Sequence, residues 1–125
     1  MKPNGAVIAK DGRIVSIGYN GSSPGQLHCI EVGCLIDVGG ACIRTIHAEA
    51  NSIAFAARNG VSTYGATLYC TSSPCFTCTK LIIAAGILCV LYRNPYRDLS
   101  GLDLLRSCNI EVVYLPLQRG EKVDA

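Results

Sequence analysis

Short apolar runs, separated by turn residues, fill most of this chain. Gly5 to Lys10 and Arg13 to Tyr19 are two such runs joined by Asp11-Gly12. That dipeptide suits a two-residue hairpin turn, so the runs are expected to pair antiparallel. From Asn20 to Thr45 the sequence is rich in Gly, Ser, Cys and Pro without a clear period, the mark of a long functional loop. Helical spacing takes over from about Ile46 to Arg58 and stops at Asn59-Gly60. A buried strand is then expected at Ala66 to Thr71, a helix at Pro74 to Ala85 ended by Gly86, and a strand at Ile87 to Tyr92. A helix at Leu99 to Cys108 and a last strand at Ile110 to Leu115 precede a polar tail expected to fray. Strands joined through a helix favour a parallel, right-handed crossover. The pattern therefore predicts an α/β protein: a five-stranded mixed sheet with helices on its faces, in a three-layer α/β/α arrangement.

Composition narrows this picture. The chain has 125 residues, half of them hydrophobic, enough for a single domain over 1–125 that buries roughly two-thirds of its unfolded surface. A net charge of +2, spread without a basic run, gives no case for a nucleic-acid partner and points to a small-molecule one. Met1 is not followed by a charged-then-apolar leader, and no apolar run is long enough to span a bilayer, so the expected location is the cytoplasm, with no membrane partner. Eight cysteines in so short a chain would suit a secreted disulfide scaffold. The missing leader and the spacing of the thiols favour a reduced, metal-binding set instead.

The chemistry sits in two separated segments, His47-Ala48-Glu49 and Pro74-Cys75-Phe76-Thr77-Cys78. One imidazole and two thiolates are suitable ligands for Zn²⁺, and three protein ligands leave the fourth tetrahedral position to water, as catalytic zinc sites do. Cys75 and Cys78 are spaced to share one helix face, and Pro74 suits the first helical position. Thiols at a helix N-terminus are favoured in the ionised form. Glu49 follows His47 closely enough to enter the same cleft without being a ligand. Taken singly, a Cys-x-x-Cys is a redox pair and a lone His a satisfied core residue. Their joint occurrence in this order, each opening an expected helix, favours zinc. Within the long loop, His28, Cys29, Cys34 and Cys42 are candidates for a second, structural zinc, with buried thiols as the alternative. Cys70, Cys89 and Cys108 fall inside strand or helix patterns and are expected to act as small buried hydrophobes.

A His-x-Glu followed by Pro-Cys-x-x-Cys is the signature of zinc-dependent nucleobase deaminases. Flanking stretches narrow the resemblance: Gly18-Tyr19-Asn20-Gly21, His28-Cys29-Ile30-Glu31-Val32-Gly33-Cys34-Leu35, Ile46-His47-Ala48-Glu49-Ala50-Asn51 and Leu81-Ile82-Ile83-Ala84-Ala85-Gly86-Ile87. In these the chain resembles the deoxycytidylate (dCMP) deaminases of the cytidine deaminase-like superfamily. One departure is the helix that the family carries before its first strand. Here the first strand starts almost at Met1, so one sheet face is expected to lack part of its cover, through a shortened chain or because a neighbouring subunit supplies it.

The resemblance implies hydrolytic deamination of dCMP to dUMP and ammonia, in pyrimidine deoxynucleotide metabolism. The alternative is another cytosine or adenine substrate: dCTP, a nucleoside, or a base in tRNA or single-stranded DNA. A non-enzymatic zinc module is opposed by the presence of Glu49. The resemblance further implies zinc held by His47, Cys75 and Cys78, attack of an activated water on C4 of cytosine, and Glu49 as the catalytic carboxylate that moves protons to N3 and to the departing amino group. It gives Asn20 a hydrogen bond to the sugar or pyrimidine, Ser73 a backbone carbonyl facing the lost amino group, and Tyr96 a place beside the base. Arg44, Arg93 and Arg97 are unranked candidates for the 5′-phosphate. Some relatives carry a second zinc in the region of His28 to Cys42, many respond to dCTP and dTTP as allosteric effectors, and a homo-oligomer is expected.

Overall fold

The computed structural model describes residues 4–22, 45–96 and 98–116. Strand β1 (Gly5–Lys10) turns into β2 (Arg13–Tyr19) with Lys10 opposite Arg13. Asp11 and Gly12 both take positive φ, 52° and 76°, the backbone of a primed two-residue turn whose twist matches that of the flanking strands. The hairpin is therefore the one expected from Asp-Gly. A register shift between Ile8 and Ala9 adds a bulge near the turn.

After β2 the short strands β3 (Gly21–Ser22) and β4 (Thr45–Ile46) pair antiparallel, and residues 23–44 lie outside the description. Helix α1 (Ala48–Arg58) follows, then β5 (Thr67–Ser72), α2 (Phe76–Ala84), β6 (Cys89–Asn94), α3 (Ser100–Ser107) and β7 (Glu111–Tyr114). Five strands form one sheet in the order β2-β1-β5-β6-β7, antiparallel across β2-β1-β5 and parallel across β5-β6-β7. The mixed five-stranded sheet matches the sequence expectation, with each parallel step bridged by a helix.

Two helix starts differ from the sequence reading. The first helix begins at Ala48 rather than Ile46, because Ile46 is held extended by pairing with Gly21 and His47 is the N-cap residue, at φ −64° and ψ 150°. The second begins at Phe76, so Pro74 does not occupy the first helical position. Cys75 is the N-cap, in an extended conformation, and its sulfur accepts a hydrogen bond from the Cys78 N–H at 3.5 Å. A side-chain acceptor at the cap outweighs the preference of proline for the first turn.

The three described helices bury their apolar residues in one cluster with the same sheet face: Ala6 and Ile8 from β1, Leu68 and Cys70 from β5, Val90 and Tyr92 from β6, against Ala48, Ile82, Leu102 and Leu105. On the opposite face Val7, Ile17, Tyr69 and Leu91 line an open groove, with Ile17 58% and Tyr69 44% exposed. Among the described residues no helix covers this face, so the described sheet and helices form two layers rather than the three expected from the sequence, because the buried apolar positions of the helices all face the same side of the sheet. No described helix is long and apolar enough to cross a membrane.

The helix that carries His47 and Glu49 lies unusually close to the sheet. A Cβ on Gly18 of β2 would stand 2.4 Å from the Ala48 carbonyl oxygen and 2.5 Å from the Ser52 nitrogen. The contact is completed by the Ser16 hydroxyl, which donates to the Ser52 carbonyl at 2.7 Å, and by the Asn51 amide, which donates to the Tyr19 carbonyl at 2.7 Å. Because the obstructing atoms are backbone, Gly18→Ala is expected to cost about 1–3 kcal/mol, the usual range for overpacking. A thermal melt checks this: an unchanged midpoint would mean that the helix can stand off the sheet freely.

Candidate metal centre and active site

Two separate strand-to-helix junctions, one of them at the end of the central strand β5, bring their helix starts together. The first, β4 into α1, presents His47 at the cap and Glu49 in the first turn. The second, β5 into α2, presents Cys75 at the cap and Cys78 in the first turn. A close helix–turn approach supports the second junction from behind, since a Cβ on Gly101 of α3 would lie 2.8 Å from the Pro74 carbonyl oxygen. The Thr79 hydroxyl donates to the Phe76 carbonyl at 2.6 Å and closes the first turn of α2.

His47 Nδ1 is 3.4 Å from the sulfur of Cys75 and 3.4 Å from that of Cys78. Ligand atoms bound at about 2.0–2.3 Å around a tetrahedral ion stand about 3.5–3.8 Å apart, so this N, S, S set has the chemistry and spacing of a zinc site with one open position. His47 is exposed, Cys75 half-buried and Cys78 buried, so the centre opens on one side to solvent. Among the described residues this is the one group of three or more His, Cys, Asp or Glu side chains close enough to hold a metal.

The electrostatics suit a cation. A hydrogen bond from Cys78, aided by His47 and the Cys78 backbone N–H against the cost of burial, brings the Cys75 thiol down to about 4. Cys78 moves the opposite way, because its proton is the one shared toward Cys75 and because it is buried. The pair thus holds one proton in the metal-free chain. Hydrogen bonding to Cys75 also raises His47. Glu49 is 5% exposed, and burial first of all raises its carboxyl above the usual range, while its own backbone N–H and the His47 charge oppose the shift. A buried carboxyl with a raised pKa beside a metal-binding set is poised for proton transfer.

The remaining sequence candidates fall as follows. Asn20 lies between β2 and β3, one residue before Gly21, which pairs with Ile46 next to His47. Its side-chain oxygen accepts from the Asn4 N–H at 3.0 Å. Ser73 is buried at the end of β5, and its hydroxyl accepts from the N–H of half-buried Tyr96 at 2.5 Å. Arg93 is exposed on β6. Arg44, Arg97, His28, Cys29, Cys34 and Cys42 lie outside the described residues. Of the three remaining cysteines, Cys70 is buried in the core, Cys89 is only partly so, and Cys108 is exposed. The expectation of burial fails at Cys108, which follows α3 beyond Leu105, the last buried position of that helix. Sequence reasoning missed Asn4, Asn51 and Ser72, whose side chains link segments distant in the chain, and no local pattern marks them.

A family model described as the cytidine and deoxycytidylate deaminase zinc-binding region matches residues 2–93. The chain belongs to this deaminase family. It is 36% identical over 159 aligned positions to the deoxycytidylate deaminase of Enterobacteria phage T4, covering 96% of this chain and 82% of the relative. With the ComE operon protein 2 of Bacillus subtilis (strain 168) it shares 47% identity over 93 residues, covering 74% of this chain and 49% of the other, so it spans about half the length of that protein. Among solved structures it is similar to the dCMP deaminase of cyanophage S-TIM5 in complex with dCMP and dUMP, with a TM-score of 0.80 and 36% identity, covering 92% of this chain and 82% of that one. The five-stranded mixed sheet and its helices are accordingly the cytidine deaminase-like fold of this family.

Proposed function

We propose that this chain is a zinc-dependent deoxycytidylate deaminase, hydrolysing dCMP to dUMP and ammonia. The observation that carries the reading is the meeting of His47 Nδ1, Cys75 Sγ and Cys78 Sγ, 3.4 Å across each N···S pair, beside the buried carboxyl of Glu49. The likeness to deoxycytidylate deaminases of phages T4 and S-TIM5 supports the choice of nucleotide.

His47, Cys75 and Cys78 would hold the zinc, whose Lewis acidity, once bound, makes a water nucleophilic at neutral pH. Glu49 takes a proton from that water and delivers it to N3 of the cytosine ring, which makes C4 more electrophilic. Water adds its oxygen at C4, the C4–N bond breaks, and a second proton passed by Glu49 leaves with the amino group as ammonia. Burial serves this shuttle because raising the carboxyl above its usual range makes it a stronger base toward the water. Asn20, the Ser73 carbonyl and Tyr96 hold the nucleotide in this reading, with Arg93 among the phosphate candidates. Assembly as a homo-oligomer, effector binding by dCTP and dTTP, a second zinc and a cytoplasmic location rest on the sequence reading alone.

The test is ammonia release by the zinc-loaded chain offered dCMP, dCTP, deoxycytidine and cytosine-containing single-stranded DNA in parallel. Turnover of dCMP above the other three is the expected result. Activity on DNA without activity on the nucleotide would overturn the substrate assignment and leave the proton shuttle in place.

A further inference from the structure

The ladders on both sides of β5 end before the metal-binding turn begins. Toward β1 the last pair is Ala6 with Cys70, and toward β6 it is Ser72 with Asn94. Beyond those points side chains carry most of the tie. On the β1 side the Thr71 hydroxyl accepts from the Gly5 N–H at 3.0 Å and lies 3.2 Å from the Gly5 carbonyl oxygen. One residue later the Ser72 hydroxyl donates to the side-chain oxygen of Asn4 at 3.0 Å. Asn4 in turn holds Asn20 by two bonds: its N–H donates to the Asn20 side-chain oxygen at 3.0 Å, and its carbonyl accepts from the Asn20 N–H at 3.2 Å. On the β6 side the Ser73 N–H donates to the Asn94 carbonyl at 2.8 Å, and the Ser73 hydroxyl accepts from the Tyr96 N–H at 2.5 Å.

We propose that Ser72 and Ser73 are positioning residues, fixing Asn20 through Asn4 on one side of the cleft and Tyr96 directly on the other, relative to the Cys75 turn that follows them. The inference deepens the deaminase reading and rests on it for the meaning of Asn20 and Tyr96. Its physical basis is the shared anchor. Pro74 has a fixed φ, so little backbone freedom separates Ser73 from Cys75. Displacement of the β5 end therefore moves the metal turn and both nucleotide-facing segments together, and loss of one tether loosens one segment while the turn stays in place. Ser73 is 3% exposed, so water replaces its bond to Tyr96 poorly.

Ser73→Ala and Ser72→Ala, each zinc-loaded and full-length, are compared with the unaltered chain for zinc content, dCMP kinetics and amide hydrogen exchange. Ser73→Ala should bind one zinc per chain, raise KM for dCMP about 3–10-fold with kcat within about twofold, and speed exchange at the Tyr96 amide but not along α1. Ser72→Ala should raise KM similarly and speed exchange at the Asn20 amide. The double variant Ser72→Ala with Asn4→Ala should be no worse than either single, because both remove the same bond. Asn4→Asp, which keeps the acceptor, should restore KM. The proposal is overturned by unchanged exchange at both amides, by an unchanged KM, by multiplicative effects in the double variant, or by activity losses that follow zinc loss. If the unaltered chain fails to deaminate dCMP, the functional reading falls separately. Exchange at Tyr96 and Asn20 still decides whether the tethers exist.

Discussion

Glu49→Gln is expected to retain zinc and to lose turnover of dCMP by about two to four decades, the usual contribution of a positioned general acid–base group. The substitution keeps the shape of the side chain and its place in the first turn of α1. It removes only the ability to accept a proton from water and return it to the ring and the amino group. Glu49 is the buried carboxyl of the site, 5% exposed, so no exposed neighbour substitutes for it easily. A stopped assay on metal-analysed protein measures both halves of the claim. If the variant kept a tenth or more of the activity with full zinc, Glu49 would not be the proton shuttle.

The second large effect concerns the metal itself. Cys78→Ser removes a nearly buried soft ligand, 3% exposed, and leaves a hydroxyl that binds zinc far less well. Zinc content is expected to fall to near zero after dialysis, and activity by more than about 100-fold, since even loss of a supporting outer-shell partner costs about 10–100-fold. Chelation of the unaltered chain should do the same, reversed by added zinc. The pH dependence has a definite sign. Without metal, Cys75 is ionised above about pH 4 while Cys78 keeps its proton, and the ligands must be deprotonated to bind. Binding therefore releases the Cys78 proton, and zinc affinity should rise about tenfold per pH unit near neutrality, with His47, raised by Cys75, adding to the slope toward acid. Competition titration against a zinc indicator at three pH values measures the slope, and a flat profile would contradict the proton count. The fold should also lose thermal stability without metal, because the centre joins the N-termini of α1 and α2.

Much of this was legible in the chain, and the reasons are local. Asp11-Gly12 dictates its own turn, and the runs on either side dictate the antiparallel pair. The spacing of Cys75 and Cys78 places both sulfurs at the start of one helix, Cys75 at its cap and Cys78 in its first turn. His-x-Glu and Pro-Cys-x-x-Cys, taken together, identified the chemistry and the family before any contact was known. The first error has a non-local cause: the sequence pattern of α1 includes Ile46, but pairing of that residue with Gly21, from a segment far back in the chain, holds it extended. Cys75 caps α2 because its sulfur reaches the Cys78 N–H, a geometric outcome that composition does not encode.

The sequence by itself thus determined the element types, the mixed character of the sheet, the His47, Cys75 and Cys78 set that the structure brings together, and the reaction class, since each depends on residues near one another in the chain or on a motif whose chemistry is intrinsic. Only the tertiary structure decided which face of the sheet the helices cover, how closely α1 lies over Gly18, and that the β5 end carries hydroxyl tethers to Asn4 and Tyr96. Those features join residues far apart along the chain. Their energies come from burial and from hydrogen-bond partners that exist only once the strands and helices have met.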